Sequence, residues 1–145
     1  MKAFEEINSL IQLDIDAVEA YKQALKNIDF PSIHQSLESF RQDHEEHIKA
    51  LSDEIRQLGG KPMERSQDFK GFLIEGFTAI RSITGVEGAL KAMLGNEKLT
   101  TKTYEKALSA DVPASTKDII RKNYEDEKKH LKYIEDALDL KVWEK

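Results

Sequence analysis

Near its C-terminus the chain reads Asp126-Glu127-Lys128-Lys129-His130, and an earlier stretch reads Asp43-His44-Glu45-Glu46-His47. On a helix, residues three or four apart project from one face about a turn apart. Glu127 and His130 are spaced in this way, so one segment can offer an ion both a carboxylate oxygen and an imidazole nitrogen. Glu-x-x-His alone is a weak signal, because helical glutamates are usually solvated. The second copy strengthens it. Asp43 and His47 recur 83 residues later as Asp126 and His130.

The same offset carries Asp14 to Glu97, Tyr21 to Tyr104, Ala24 to Ala107 and Leu25 to Leu108, whereas Pro31 and Pro113 lie 82 apart. Each half is therefore a carboxylate, a Tyr two turns on, a Pro-containing turn and an Asp-x-x-x-His. Two half-repeats that each bring acid and imidazole to one helical face make a metal site between them the leading idea.

Helical periodicity must supply those faces. Ile7, Leu10, Ile11, Ala17, Val18, Tyr21, Leu25 and Ile28 keep a helical period, with Asp14 in the middle of their stripe. A carboxylate there is costly unless a metal or a cross-helix hydrogen bond compensates. Asp16, Glu19, Gln23 and Lys26 fall on the opposite, solvated side. Pro31 opens a second helix whose inward row is Leu37, Phe40, His44, His47, Ile48, Leu51, Ile55 and Leu58, and Gly59-Gly60 and Pro62 stop it. His34 has no repeat partner and reads as surface. After a polar linker, Phe69, Phe72, Leu73, Gly76, Phe77 and Ile80 predict an amphipathic crossover helix over 68–83, its aromatics serving as core or interface cover. A third long helix places Leu90, Met93, Leu94, Glu97, Thr101, Tyr104 and Leu108 inward. A fourth starts near Pro113, with Ser115 and Asp118 at capping-box spacing. It presents Ile120, Tyr124, Glu127, His130, Leu131, Ile134 and Leu138, and Trp143 is placed to dock the terminus. The predicted helices are 3–28, 31–58, 68–83, 86–109 and 113–141, in one domain spanning 1–145.

Composition narrows the chemistry. A chain of 145 residues with 39% hydrophobic and 34% charged residues, three Pro and seven Gly suits a helical domain with a sizeable core. With no Cys, disulfides and every thiolate metal site are excluded, iron–sulfur clusters and rubredoxin-type iron included. The N-terminal Met1-Lys2-Ala3-Phe4-Glu5-Glu6 turns acidic where a signal peptide needs an apolar core, and no apolar run approaches a membrane span. A cytoplasmic location is the expectation. A net charge of −5 with no basic stripe argues against nucleic acid as the main partner.

Two antiparallel helix pairs, a long crossover, and carboxylate and His residues on inward faces describe an all-α, ferritin-like four-helix bundle. Over nearly its full length the chain resembles that superfamily, of the bacterioferritin and rubrerythrin type, and it looks like the small bacterial ferritin-like families of unknown function rather than true ferritins. The resemblance implies a metal site of Asp14, His44, His47, Glu97, Glu127 and His130. It also implies that Tyr21, Tyr104, Asp43 and Asp126 form the surrounding layer, with the two Asp residues orienting imidazoles. One position departs from the pattern. His44 stands where the second helix of the family carries a Glu that usually bridges two metals, and a neutral imidazole with one lone pair cannot bridge in that way. Three carboxylates and three histidines leave two dications under-neutralised, so a single metal or an unsymmetrical pair enters the expectation.

The implied ligand is one or two divalent ions per chain, iron foremost, with manganese or zinc also compatible. The implied function is a metal-binding protein of di-iron or di-manganese oxidoreductase type, acting on oxygen or peroxide. Two other classes stand beside it. One is a bundle that uses an ion only for stability. The other is a metal-free structural, stress-associated or interaction module that keeps the ligands as a polar network. The expected partners are metal ions, with no nucleic acid, no membrane, and a homodimer as an open assembly.

Overall fold

The computed structural model describes residues 2–64 and 85–144. They form four long α-helices, α1 (Lys2–Leu25), α2 (Pro31–Gln57), α3 (Val86–Ala107) and α4 (Ala114–Leu140), and a final 3-10 turn at Val142–Glu144. The all-α four-helix bundle that the periodicity predicts is the fold observed. The helix expected over 68–83 lies outside the described residues.

Helix ends fall a turn or less from the predicted bounds, and each has a local cause. α1 stops at Leu25 instead of Ile28 because the N–H groups of Lys26, Asn27 and Ile28 donate to the Gln23, Ala24 and Leu25 carbonyls. That is the tightened spacing of a terminating turn. Phe30 is then extended, at φ −78° and ψ 113°, as the residue before a proline prefers. α2 ends in a Schellman motif. Gly59 takes φ +88° and donates to the Arg56 carbonyl, while Gly60 donates to that of Ile55 at 2.8 Å. A Cβ on Gly60 would lie 2.9 Å from the Phe4 ring, so this corner needs glycine to close against the start of α1.

The capping box expected at Ser115 and Asp118 does not form. Pro113 holds the N-cap position of α4 without a side-chain cap. The Ser115 and Thr116 hydroxyls donate instead to Oε2 of buried Glu54 on α2, at 2.7 and 2.5 Å. A buried carboxylate needs such donors more than an exposed helix end needs its cap, and the positive end of α4 favours the charge.

Short turns make α1–α2 and α3–α4 antiparallel pairs. Tyr21 meets Glu97 while Asp14 meets Tyr104, so α1 and α3 also run oppositely. α2 and α3 therefore run the same way. The end of one and the start of the other lie at opposite ends of the bundle, as a crossover connection requires. The interior divides into two apolar clusters. One gathers Ala17, Tyr21, Ile33, Leu37, Leu90, Met93 and Ile134, with Trp143 packed against it. The other gathers Ile7, Leu10, Leu51, Ile55, Tyr104 and Ile120. The polar residues of interest lie between them.

Asp16 corrects the sequence reading. It is 1% exposed, not solvated, and accepts from Gln12 Nε2 at 2.9 Å. α1 is buried around most of its circumference, Leu13 and Ala20 included, so its supposed outer side is not a free face. Among the described residues no helix is long and apolar enough to cross a membrane.

Candidate metal centre

Each long helix contributes to the centre. Asp14 comes from α1, His44 and His47 from α2, Glu97 from α3, and Glu127 and His130 from α4. All six are at most 1% exposed. They fall into two groups whose ligand-type atoms lie within 4.8 Å of one another, Asp14–His44–His47–Glu127 and His44–Glu97–Glu127–His130. The 83-residue offset converts Asp14 to Glu97, His47 to His130, and His44 to Glu127. The two groups are thus repeat-related halves that share the central pair His44 and Glu127. Such buried carboxylate–imidazole clusters could hold a metal ion.

The surrounding contacts obey the same relation. Tyr21 donates to Glu97 Oε1, and Tyr104 donates to Asp14 Oδ2 at 2.5 Å. His130 Nε2 bonds Asp43 Oδ2, and His47 Nε2 bonds Asp126 Oδ2, both at 2.9 Å. Every one of these bonds joins one half-repeat to the other. Asp43 and Asp126 sit at the rim, with side chains 42% and 20% exposed, and hold imidazoles from outside.

Several residues of the centre escaped the sequence reading. Asn123, not Tyr124, is the buried neighbour, donating from Nδ2 to the Tyr104 hydroxyl at 3.2 Å. Tyr124 is half-buried and bonds Glu105 at the surface. Thr100, not Thr101, is fully inward and donates to Glu97 Oε2 at 3.1 Å. Phe40 stacks on His130 with ring centroids 4.3 Å apart. Spacing carried a signal for each polar one: Asn123 lies one turn before Glu127, and Thr100 one turn after Glu97.

One polar atom at the centre lacks a partner. Glu127 is fully buried, and its Oε1 accepts no hydrogen bond. Burial, helped by the charge of Glu97, raises the Glu127 carboxyl to about 7. Burial opposes the charged form of His44, but Glu127, Asp14 and Glu97 carry its pKa up to about 10. Against the same opposition, carboxylates raise His47 to about 9 and His130 to about 12. Despite burial, His130 and His44 hold Glu97 well below the usual range, and His47 with His44 lowers Asp14.

These shifts set one pH trend for the chain itself, and an ion held at the centre would follow the opposite one. Glu127 and the three histidines keep protons in the folded chain where the unfolded chain has released them. Their stabilisation is complete below the unfolded values of 4.5 and 6.5, and is lost as pH rises through about 7 and about 9 to 12. The lowered Glu97, Asp14 and Asp126 act on the acid side, where stability falls as they are protonated. An ion must displace the protons of Glu127 and the imidazoles, so its binding strengthens as pH rises. Between about pH 6 and about pH 8.5 the melting temperature in chelator should fall, while the increment from added Mn(II) or Zn(II) should grow. Parallel trends with and without metal would show that ion and protons do not compete for these groups.

A family model described as a domain of unknown function (DUF2383) matches residues 2–110. The match takes in α1, α2 and α3, with Asp14, His44, His47 and Glu97, while Glu127 and His130 on α4 lie beyond it. No curated protein matches the chain. Because the matched residues make up well over half of the sequence, the chain belongs to the DUF2383 family.

Proposed function

We propose that this protein is a ferritin-like metalloprotein that binds a divalent ion between its helix pairs and uses it in redox chemistry on oxygen or peroxide. The observation that carries the reading is Glu127, a fully buried carboxylate common to both ligand groups whose Oε1 lacks a hydrogen-bond partner. Leaving such an atom unmet in a dry interior is unfavourable, and a cation meets it. The donor set of carboxylates and imidazoles suits iron, manganese or zinc, and two antiparallel hairpins with α2 and α3 running the same way agree with the ferritin-like resemblance.

When bound, iron or manganese would supply electrons to a small oxidant. The protein's own part is to hold the ligands and limit access. With all six residues at most 1% exposed, a substrate larger than a small oxidant such as dioxygen or peroxide is kept from the centre. Tyr21 and Tyr104 donate to the two carboxylates Glu97 and Asp14, which fixes the carboxylate orientation. The same burial also favours a second reading, an ion kept for stability alone.

Metal analysis of the purified chain and thermal melts with added Fe(II), Mn(II) and Zn(II) test the first level. A concentration-dependent rise in melting temperature is expected, and it should vanish in His130→Ala while helical content stays. An unchanged response in that variant would place the ion elsewhere. Aerobic Fe(II) titration tests the second level. Rapid ferric absorbance is expected, and binding without oxidation would leave the stabilising ion as the function.

A further inference from the structure

The two half-sites are related by the repeat, yet one is drawn tighter than the other. In the α3–α4 half, His44 Nε2 lies 3.4 Å from Glu97 Oε1 and 3.4 Å from Glu127 Oε2. His130 Nδ1 lies 3.5 Å from Glu97 Oε1 and 3.2 Å from Glu127 Oε2. A tetrahedral ion bound by nitrogen and oxygen at roughly 2.0–2.1 Å separates its ligand atoms by about 3.3–3.4 Å. Adjacent ligands of an octahedral ion at the same bond length would stand only about 2.8–3.0 Å apart. The four nitrogen–oxygen edges of the six thus lie within about 0.1 Å of that tetrahedral range.

The Asp14 half is the tighter one. Asp14 Oδ1 is 2.7 Å from His44 Nδ1 and 3.0 Å from His47 Nδ1, and Oδ2 takes the Tyr104 hydroxyl at 2.5 Å. An imidazole has one lone pair to give once its other nitrogen donates a proton. His44 spends Nδ1 on Asp14 and therefore faces Glu97 and Glu127 with Nε2. His130 is set in the same way, with Nε2 donating to Asp43 at 2.9 Å and Nδ1 directed at the two glutamates. Both are carboxylate–histidine arrangements that fix a ring for metal binding. His47 repeats the arrangement of His130, with Nε2 on Asp126 and Nδ1 on Asp14, but its Nδ1 lies 3.0 Å from Asp14 Oδ1, shorter than the tetrahedral edge. Two glutamates also match the charge of one dication.

We propose that the centre is mononuclear: one four-coordinate ion bound by His44 Nε2, Glu97, Glu127 and His130 Nδ1, with Asp14 and His47 a hydrogen-bonded half that positions His44 and takes no metal. This deepens the metal-binding reading above and rests on it; four protein ligands leave no open position for an oxidant, so it favours the ion kept for stability over redox use.

Anaerobic titration with Co(II), followed by counting of bound cobalt after desalting and by visible absorption, tests it. The expected result is one Co(II) per chain with the intense visible bands of tetrahedral cobalt. The repeat-equivalent variants should then behave unequally. His130→Gln should lose the ion and the bands, while His47→Gln should keep both, with circular dichroism verifying that each is folded. Two tightly bound Co(II) per chain would overturn the mononuclear assignment and leave the metal-binding reading standing. Equal losses in the two variants, or one ion with the weak bands of six-coordination, would overturn it in the same way. No bound ion in the unmodified chain would overturn the metal reading itself and this inference with it.

Discussion

Glu127→Gln should weaken divalent metal binding by at least about 100-fold while leaving the metal-free fold intact. Glutamine has the shape of the protonated acid, and the Glu127 carboxyl is raised to about 7, so near neutrality the metal-free chain already holds much of it protonated. The amide therefore replaces a neutral group with a neutral group. An ion, however, requires the carboxylate, and Glu127 belongs to both ligand groups. Even residues that only orient a ligand are worth about 10–100-fold in metal affinity, so a direct ligand common to both groups should exceed that range. Competition with a chelator of known affinity, measured for both proteins, checks the ratio. Equal affinity, with the melting curve in chelator also unchanged, would mean that Glu127 is not a ligand.

Asp14→Ala should damage the metal-free protein most. Asp14 accepts from His44 and His47 and from the Tyr104 hydroxyl, all fully or nearly fully buried. Removing it strands two protonated imidazoles and a hydroxyl where water does not reach. Breaking a buried charge pair from one side costs about 3–5 kcal/mol. For a chain of this size that lowers the melting temperature by roughly 10 °C. Asp126→Ala is the control. Its side chain is 20% exposed and it holds the outer nitrogen of His47 and the exposed Lys122, so water can replace much of what it provides. Denaturant melts in chelator should rank Asp14→Ala far below Asp126→Ala. Similar losses would indicate that Asp14 is not the hub of the network.

The helical period and the repeat made much of this legible. A carboxylate inside an apolar stripe, as Asp14 and Glu97 are, marks an interior acid whatever the tertiary arrangement. The offset then paired Asp14 with Glu97 and His47 with His130 before any distance was known. Periodicity assigns a face but not its depth, which is why Asp16 was placed in solvent and Tyr124 was preferred to Asn123. An aromatic ring is apolar enough to look inward, whereas Asn123 is inward because the Tyr104 hydroxyl needs a neighbour there. Glu54 was invisible for a related reason. Its partners, Ser115 and Thr116, lie 61 and 62 residues away, and nothing local marks a glutamate on α2 as the acceptor for the start of α4. The same limit hid which Asp would hold which His, since that depends on how two hairpins face each other.

That facing arrangement bears on the order of folding events. The bonds Tyr21–Glu97, Tyr104–Asp14, His47–Asp126 and His130–Asp43 span 76, 90, 79 and 87 residues. Each hairpin, α1–α2 or α3–α4, closes a short local loop and can form early, whereas contacts this distant in sequence are made late. Neither hairpin alone holds a carboxylate joined to its tyrosine or an imidazole joined to its outer aspartate. An ion bound at the proposed centre would therefore find its ligands assembled only after the hairpins have docked. It would slow their separation far more than it speeds their meeting, as a latch on a finished assembly and not a template for building one.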